Sequence, residues 1–134
     1  MKIDFRWIAG IAAVLLLTGC GASRQPAGSY RQVGTEEAIA IMAEETDYIL
    51  LDVRTQEEYA QAHIPGAICI PNETIGSDQI PELPNQDQLI LVYCRSGNRS
   101  KQASEKLAKL GYTNIVEFGG INTWTGETVS GSEA

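Results

Sequence analysis

Between Tyr30 and Trp124 the apolar positions switch repeatedly between unbroken short runs and a helical period, which predicts strands alternating with helices. Thr35 opens a helical stretch running to about Glu45, with Glu36 and Glu37 in its first turn and Ala38, Ile39 and Met42 on one side. Tyr48 to Val53 is a compact apolar run of strand length, and Thr55-Gln56-Glu57-Glu58 has the capping-box spacing of a second, short helix. Ala67 to Ile70 predicts a short strand stopped by Pro71. Asn72 to Gln88, polar and interrupted by Pro81 and Pro84, reads as loop with one helical turn. Leu89-Ile90-Leu91-Val92-Tyr93 is apolar at every position, which suits a strand buried on both faces. Ser100 to Leu110 predicts a helix with Ala103, Leu107 and Leu110 inward and Gly111 as its stop. Asn114 to Phe118 predicts a last strand broken by Gly119-Gly120, and the small polar residues beyond Gly126 predict a frayed tail. The order implies an α/β fold: a mostly parallel central sheet with helices on both faces.

The first residues follow a different logic. Lys2 and Arg6 precede an apolar run from Ile8 to Leu17, which is closed by Thr18-Gly19-Cys20. A charged start, a short apolar run and a small-residue exit describe a secretory signal, and the run is shorter than the roughly 20 residues that span a bilayer. Leu17-Thr18-Gly19-Cys20 resembles the bacterial lipoprotein box, which implies cleavage before Cys20 and a lipid anchor on its sulfur. Gly21 follows the cysteine and no Asp does. By that resemblance the protein is extracytoplasmic: on the outer membrane of a Gram-negative cell, or on the outer face of the plasma membrane of a Gram-positive one. The expected division is a signal peptide over 1–19, a lipidated N-terminus and Ser/Gly/Pro/Gln-rich tether over 20–29, one domain over 30–126, and a disordered tail over 127–134.

Composition narrows the chemistry. The 134 residues carry 10 basic and 17 acidic side chains, a net charge of -7, which speaks against nucleic acid and against polybasic docking on anionic lipid. At 43% hydrophobic the chain can bury a core without disulfides. His63 is the one histidine, so a multi-histidine metal site is excluded and no metal or cofactor is expected. The three cysteines, Cys20, Cys69 and Cys94, have unlike neighbourhoods.

Cys94 begins Cys94-Arg95-Ser96-Gly97-Asn98-Arg99-Ser100, between the buried strand and the helix that follows. Ligands of open α/β sheets sit outside the carboxyl ends of strands, and such a turn aims backbone N–H groups and a helix N-terminus at one point. Gly97 and Asn98 suit the unusual dihedrals of a tight cradle. Arg95, Arg99 and Lys101 place cations around it on an otherwise acidic chain. A thiol in that field is expected to ionise easily and to meet an anionic substrate as a nucleophile.

From about Gln32 to Trp124 the chain resembles the rhodanese domain. The resemblance is carried by Leu51-Asp52-Val53-Arg54 with Glu58-Tyr59, then His63-Ile64-Pro65-Gly66-Ala67, then Tyr93 to Ser100, then Gly119-Gly120 with Trp124, in the family's order and spacing. It implies a sulfurtransferase that forms a persulfide on Cys94, cradled by the N–H groups of Arg95 to Arg99. Ser96, Gly97, Asn98 and Ser100 then belong to the substrate-binding loop. The implied donor is a small anion such as thiosulfate, and the implied acceptor is cyanide or a thiol. A monomer is expected. Two other classes use the same elements: a non-catalytic binding or sensory module, and a Cys-based phosphatase or arsenate reductase. The latter has a loop one residue longer, whereas here four residues separate Cys94 from Arg99.

The remaining polar residues read as support. Arg54 is expected to bond Glu57 or Glu58, and Asp52 to fix backbone at its strand end. His63 starts the His-Ile-Pro-Gly-Ala turn and is expected to serve packing more than catalysis. Arg95 is the better candidate for steering the donor and Arg99 for bracing the loop, with the reverse assignment open. Cys69 is expected in a strand two places from the one ending at Cys94, too distant for a disulfide.

Overall fold

The computed structural model describes residues 28–134, so Cys20 and the expected signal and anchor lie outside the described residues. In chain order the elements are β1 (Arg31–Gln32), α1 (Thr35–Glu44), β2 (Tyr48–Asp52), α2 (Gln56–Gln61), β3 (Ile68–Cys69), β4 (Leu89–Cys94), α3 (Asn98–Lys109) and β5 (Ile115–Gly120). Single 3-10 turns lie at Asn72–Thr74 and Ile121–Thr123. The five strands form one parallel sheet in the order β1-β5-β4-β2-β3. β4 occupies the centre, and that position accounts for its unbroken apolar run.

Alternation along the strands divides the core into two layers. Leu51, Val53, Ile90, Val92, Cys94 and Ile115 face α3, where Ala103, Leu107 and Ala108 close over them. Leu50, Leu91, Tyr93, Val116 and Phe118 face Ala38 of α1 and Tyr59 of α2. Ile41 and Met42 pack beside Ala38, so the stripe that meets the sheet has the i, i+3, i+4 spacing, and Ile41 takes the place expected of Ile39. Each large apolar side chain fully buried here contributes roughly 1.5–3 kcal/mol.

Three local expectations change. Helix α3 starts at Asn98, not Ser100, because Gly97 takes φ 115° and serves as its N-cap, so Asn98 and Arg99 form its first turn. β5 runs through Gly119 and Gly120 instead of stopping before them. Val92 pairs with Glu117 and Cys94 with Gly120, so the register shifts by one residue in a bulge. The segment beyond Gly126, expected to fray, is tied down: Val129 exchanges backbone hydrogen bonds with His63 at 2.8 and 2.9 Å, and the Gly131 N–H donates to the Ala60 carbonyl at 2.8 Å. The Trp124 indole N–H also donates to the Glu127 carbonyl.

Deleting residues 128–134 removes those three backbone bonds and uncovers the end of α2. The expected cost is about 1–2 kcal/mol, and a drop in Tm of roughly 4–8 °C per kcal/mol. Thermal unfolding followed by circular dichroism measures it, and an unchanged Tm would restore the frayed reading.

Candidate active site

The chain turns from β4 into α3 at the carboxyl edge of the sheet. α2 and α3 cover opposite faces there, so the turn lies where the connections diverge. Two glycines let the turn close. Gly97 takes the left-handed conformation that other residues avoid. Gly120, extended on the neighbouring strand, lies so close to the turn that a Cβ there would meet the Arg95 carbonyl oxygen at 2.1 Å. The Asn122 N–H fastens the same Arg95 carbonyl at 3.1 Å.

Cys94 is 1% exposed at the floor of this turn. The Gly97 N–H donates to its Sγ at 3.0 Å, and its thiol lies 3.5 Å from the Ser100 hydroxyl. Burial opposes ionisation, but the Ser100 hydroxyl and the N–H groups of Ser100, Gly97 and Ser96 outweigh it and hold the thiol below its ordinary value. The cysteine is therefore poised as a nucleophile by these hydrogen-bond donors.

The cations divide. Arg99 is half-buried and gives a forked pair of bonds to Glu58 at 2.7 and 3.0 Å, so it ties the start of α3 to α2. The Arg95 side chain is exposed and makes no hydrogen bond or ion pair among the described residues. Ser96 and Asn98 are exposed beside it, while Gly97 and Ser100 are buried beneath.

Glu58 also completes the capping box with Thr55. The Arg99 guanidinium holds its carboxyl at about 2, against the effect of burial and with help from the Thr55 N–H. A carboxyl depressed on folding contributes stability above its ordinary value of 4.5 and loses it as pH falls toward 2. Both side chains are more than a quarter exposed, so the contribution is about 1 kcal/mol. Urea unfolding of Glu58→Gln should therefore lose about that much at neutral pH, and fall less steeply than wild type between pH 4.5 and 2.

The other predicted residues sit one layer back. Asp52 and Arg54 pair with each other at 2.7 Å, and Arg54 also donates to the Ala62 carbonyl. The expected bond from Arg54 to Glu57 or Glu58 is not made, because Asp52 on the same strand end takes the guanidinium and Arg99 takes Glu58. Asp52 additionally accepts the Arg54 N–H at 2.9 Å. His63 is fully buried, stacked on Tyr59 with ring centroids 3.7 Å apart, and its Nδ1 lies 2.8 Å from the Tyr59 carbonyl. No hydrogen bond among the described residues joins it to Cys94. Cys69 sits on edge strand β3, two strands from β4, and burial pushes its thiol up to about 11, with Asp52 adding to the effect.

One buried group at this site was not expected. Glu117, 2% exposed on β5, accepts from the Ser100 hydroxyl at 2.6 Å and from the Gly119 N–H at 2.8 Å. The available signal was an acidic residue inside the otherwise apolar Ile115-Val116-Glu117-Phe118 run.

The sequence model of the rhodanese-like domain matches residues 35–127. Thiosulfate sulfurtransferase PspE of Escherichia coli is 38% identical over 71 residues, which cover 53% of this chain and 68% of that protein. Thiosulfate sulfurtransferase GlpE of Pseudomonas entomophila is 32% identical over 108 residues, which cover 77% of this chain and 95% of that protein. A solved structure described as a rhodanese with anions from E. coli superposes with a TM-score of 0.58 at 34% identity, covering 63% of this chain and 99% of that one. With the parallel sheet and the cysteine turn at its carboxyl edge, the chain belongs to the rhodanese-like family.

Proposed function

We propose that this protein is a lipid-anchored, extracytoplasmic sulfurtransferase that takes sulfane sulfur from a thiosulfate-like anion onto Cys94 and passes it to a thiol or cyanide. The observation that carries the reading is the Cys94 sulfur, buried at the floor of a turn whose N–H groups converge on it and favour its anion. In the first step the Cys94 thiolate attacks the sulfane sulfur of thiosulfate. A sulfur–sulfur bond forms to Cys94, the donor's own sulfur–sulfur bond breaks, and sulfite leaves with the electron pair. In the second step the acceptor attacks the outer sulfur and Cys94 leaves as thiolate. The same N–H groups suit the thiolate and the persulfide, because both are sulfur anions.

Arg95, without a side-chain partner among the described residues, steers the sulfonate end of the donor, while Arg99 braces the cradle through Glu58. The names of the two sulfurtransferase relatives and the anions of the solved rhodanese support an anionic sulfur donor. The envelope location rests on Leu17-Thr18-Gly19-Cys20 and the apolar run before it. Replacing Cys20 with Ser should abolish incorporation of labelled fatty acid and move the protein to the aqueous phase on detergent partition.

The test of transfer is direct. Reduced protein given excess thiosulfate should gain the mass of one sulfur atom, lose it again to cyanide, and show neither change as Cys94→Ser. Unmodified wild-type protein under those conditions would overturn the reading, as would Cys94-dependent hydrolysis of an aryl phosphate in its place.

A further inference from the structure

Glu117 is a buried carboxylate beneath a reactive thiol, an arrangement that demands an account because two anions packed together repel. A chain of contacts links them. The Cys94 thiol is placed to donate to Ser100 Oγ at 3.5 Å, and the Ser100 hydroxyl donates to Glu117 Oε1 at 2.6 Å. A Cβ on Gly97, the residue whose N–H meets the Cys94 sulfur, would lie 3.9 Å from the same Oε1.

We propose that Cys94, Ser100 and Glu117 form a proton relay, in which Glu117 acts through the Ser100 hydroxyl to receive the proton that Cys94 sheds before attack. The proposal deepens the sulfur-transfer reading and rests on it for its purpose. The step balances. The thiol proton passes to Ser100 Oγ, the Ser100 proton passes to Glu117 Oε1, and a thiol with a carboxylate becomes a thiolate with a carboxylic acid. Net charge is unchanged, and no proton crosses the protein surface.

Hydrogen counting favours this assignment. Ser100 has a single hydroxyl hydrogen and lies within reach of Glu117 Oε1, of the Gly97 and Gly119 carbonyls at 2.9 and 3.2 Å, and of Cys94 Sγ. While Glu117 is ionised, its 2.6 Å contact is the shortest of these and holds that hydrogen. Ser100 donates to the sulfur only when Glu117 carries a proton and donates in turn to Ser100. A thiolate stabilised by the Ser100 hydroxyl thus requires that the proton has reached Glu117, so the hydrogen-bond chain couples the two groups.

Among the described residues no cation is hydrogen-bonded or ion-paired to Glu117, and Arg95 on the turn itself is exposed. β4 carries no charged side chain. On α3, Arg99 is engaged by Glu58 and Lys106 by Asn72, while Lys101, Glu105 and Lys109 are exposed. Arg31 on β1 and the acidic side chains of α1 are also exposed.

The test is an ultraviolet titration of the Cys94 thiolate in the full chain, with the curve of Cys94→Ser subtracted to remove the other cysteines. Wild type should ionise in two steps separated by about one pH unit or more, the signature of a coupled pair. Glu117→Gln, which keeps the shape but takes no proton, should lose one step, and so should Ser100→Ala. Ser100→Thr, which keeps the hydroxyl, should retain both. A single step in wild type overturns the relay, as do two steps persisting in Ser100→Ala. If Glu117→Gln fails to fold, the serine pair decides. Persulfide formation from thiosulfate is followed on the same samples. A wild type that forms persulfide with one-step ionisation refutes the relay and leaves sulfur transfer standing; two steps without persulfide do the reverse.

Discussion

Gly120→Ala is expected to slow persulfide formation by about a hundredfold or more, although the residue brings no side chain to the reaction. Its Cβ would lie 2.1 Å from the Arg95 carbonyl oxygen, 2.2 Å from the carbonyl carbon and 2.7 Å from the Ser96 nitrogen. All three are backbone atoms of the cradle, so no side chain can swing aside to make room. Either β5 withdraws or the turn does, and the turn has less to hold it. Displacing Arg95 and Ser96 misdirects the N–H groups that stabilise the Cys94 anion, so the thiol should titrate higher while the protein stays folded. The stability cost of such overpacking is about 1–3 kcal/mol. Gly119→Ala offers a contrast. No atom lies within 4 Å of a Cβ there, and its cost would come from the φ of 89° alone. Stopped-flow persulfide formation and thiol titration on both variants separate collision from backbone strain. Equal losses in the two would show that contact with the turn is not what Gly120 provides.

How much of this was legible follows from what each residue answers to. The central strand, the capping box and the α3 stripe are readable because local physics fixes them: an all-apolar run of this length suits a doubly covered strand, and Thr55 and Glu58 satisfy each other's backbone within one turn. The position of Cys94 was readable because strand, glycine and helix start form one contiguous segment. What depended on distant partners was not. Ile75 and Leu83 are buried, at 3% and 0% exposure, in a segment read as polar loop, since Pro81 and Pro84 conceal a core contact that Tyr112 completes through the Leu83 carbonyl. Sequence proximity points Arg54 to its neighbours on α2, yet the fold gives it Asp52 and sends Glu58 across 41 residues to Arg99. The tail looks free in the sequence because its pairing partner His63 lies far back in the chain. Glu117 carries no meaning in the sequence alone, because its role exists only once β5 lies beside β4 and beneath α3.

Asp52→Asn should cost stability more than any other single change to a polar side chain here, about 3–5 kcal/mol, and leave sulfur transfer by the folded fraction near wild type. The carboxylate is fully buried and Arg54 is 5% exposed, so removing the negative charge strands a guanidinium that water cannot reach. Asn keeps one oxygen for the Arg54 N–H but cannot match the bonds that Arg54 Nε and the terminal nitrogen send to both carboxylate oxygens. The damage would spread along the edge. Arg54 also secures the Ala62 carbonyl at the end of α2 and lies over the Tyr93 ring at 5.8 Å, directly before Cys94 in the chain. Replacing both partners by apolar residues of similar volume should recover much of the loss, because the penalty comes from an unpaired charge and not from the missing attraction. Urea unfolding of Asp52→Asn and of the double replacement, with persulfide formation normalised to folded protein, distinguishes the two roles this pair has in principle. A stable Asp52→Asn that no longer accepts sulfur would make Asp52 part of the chemistry. A destabilised one that still accepts it makes Asp52 the clamp that holds the floor of the site in place.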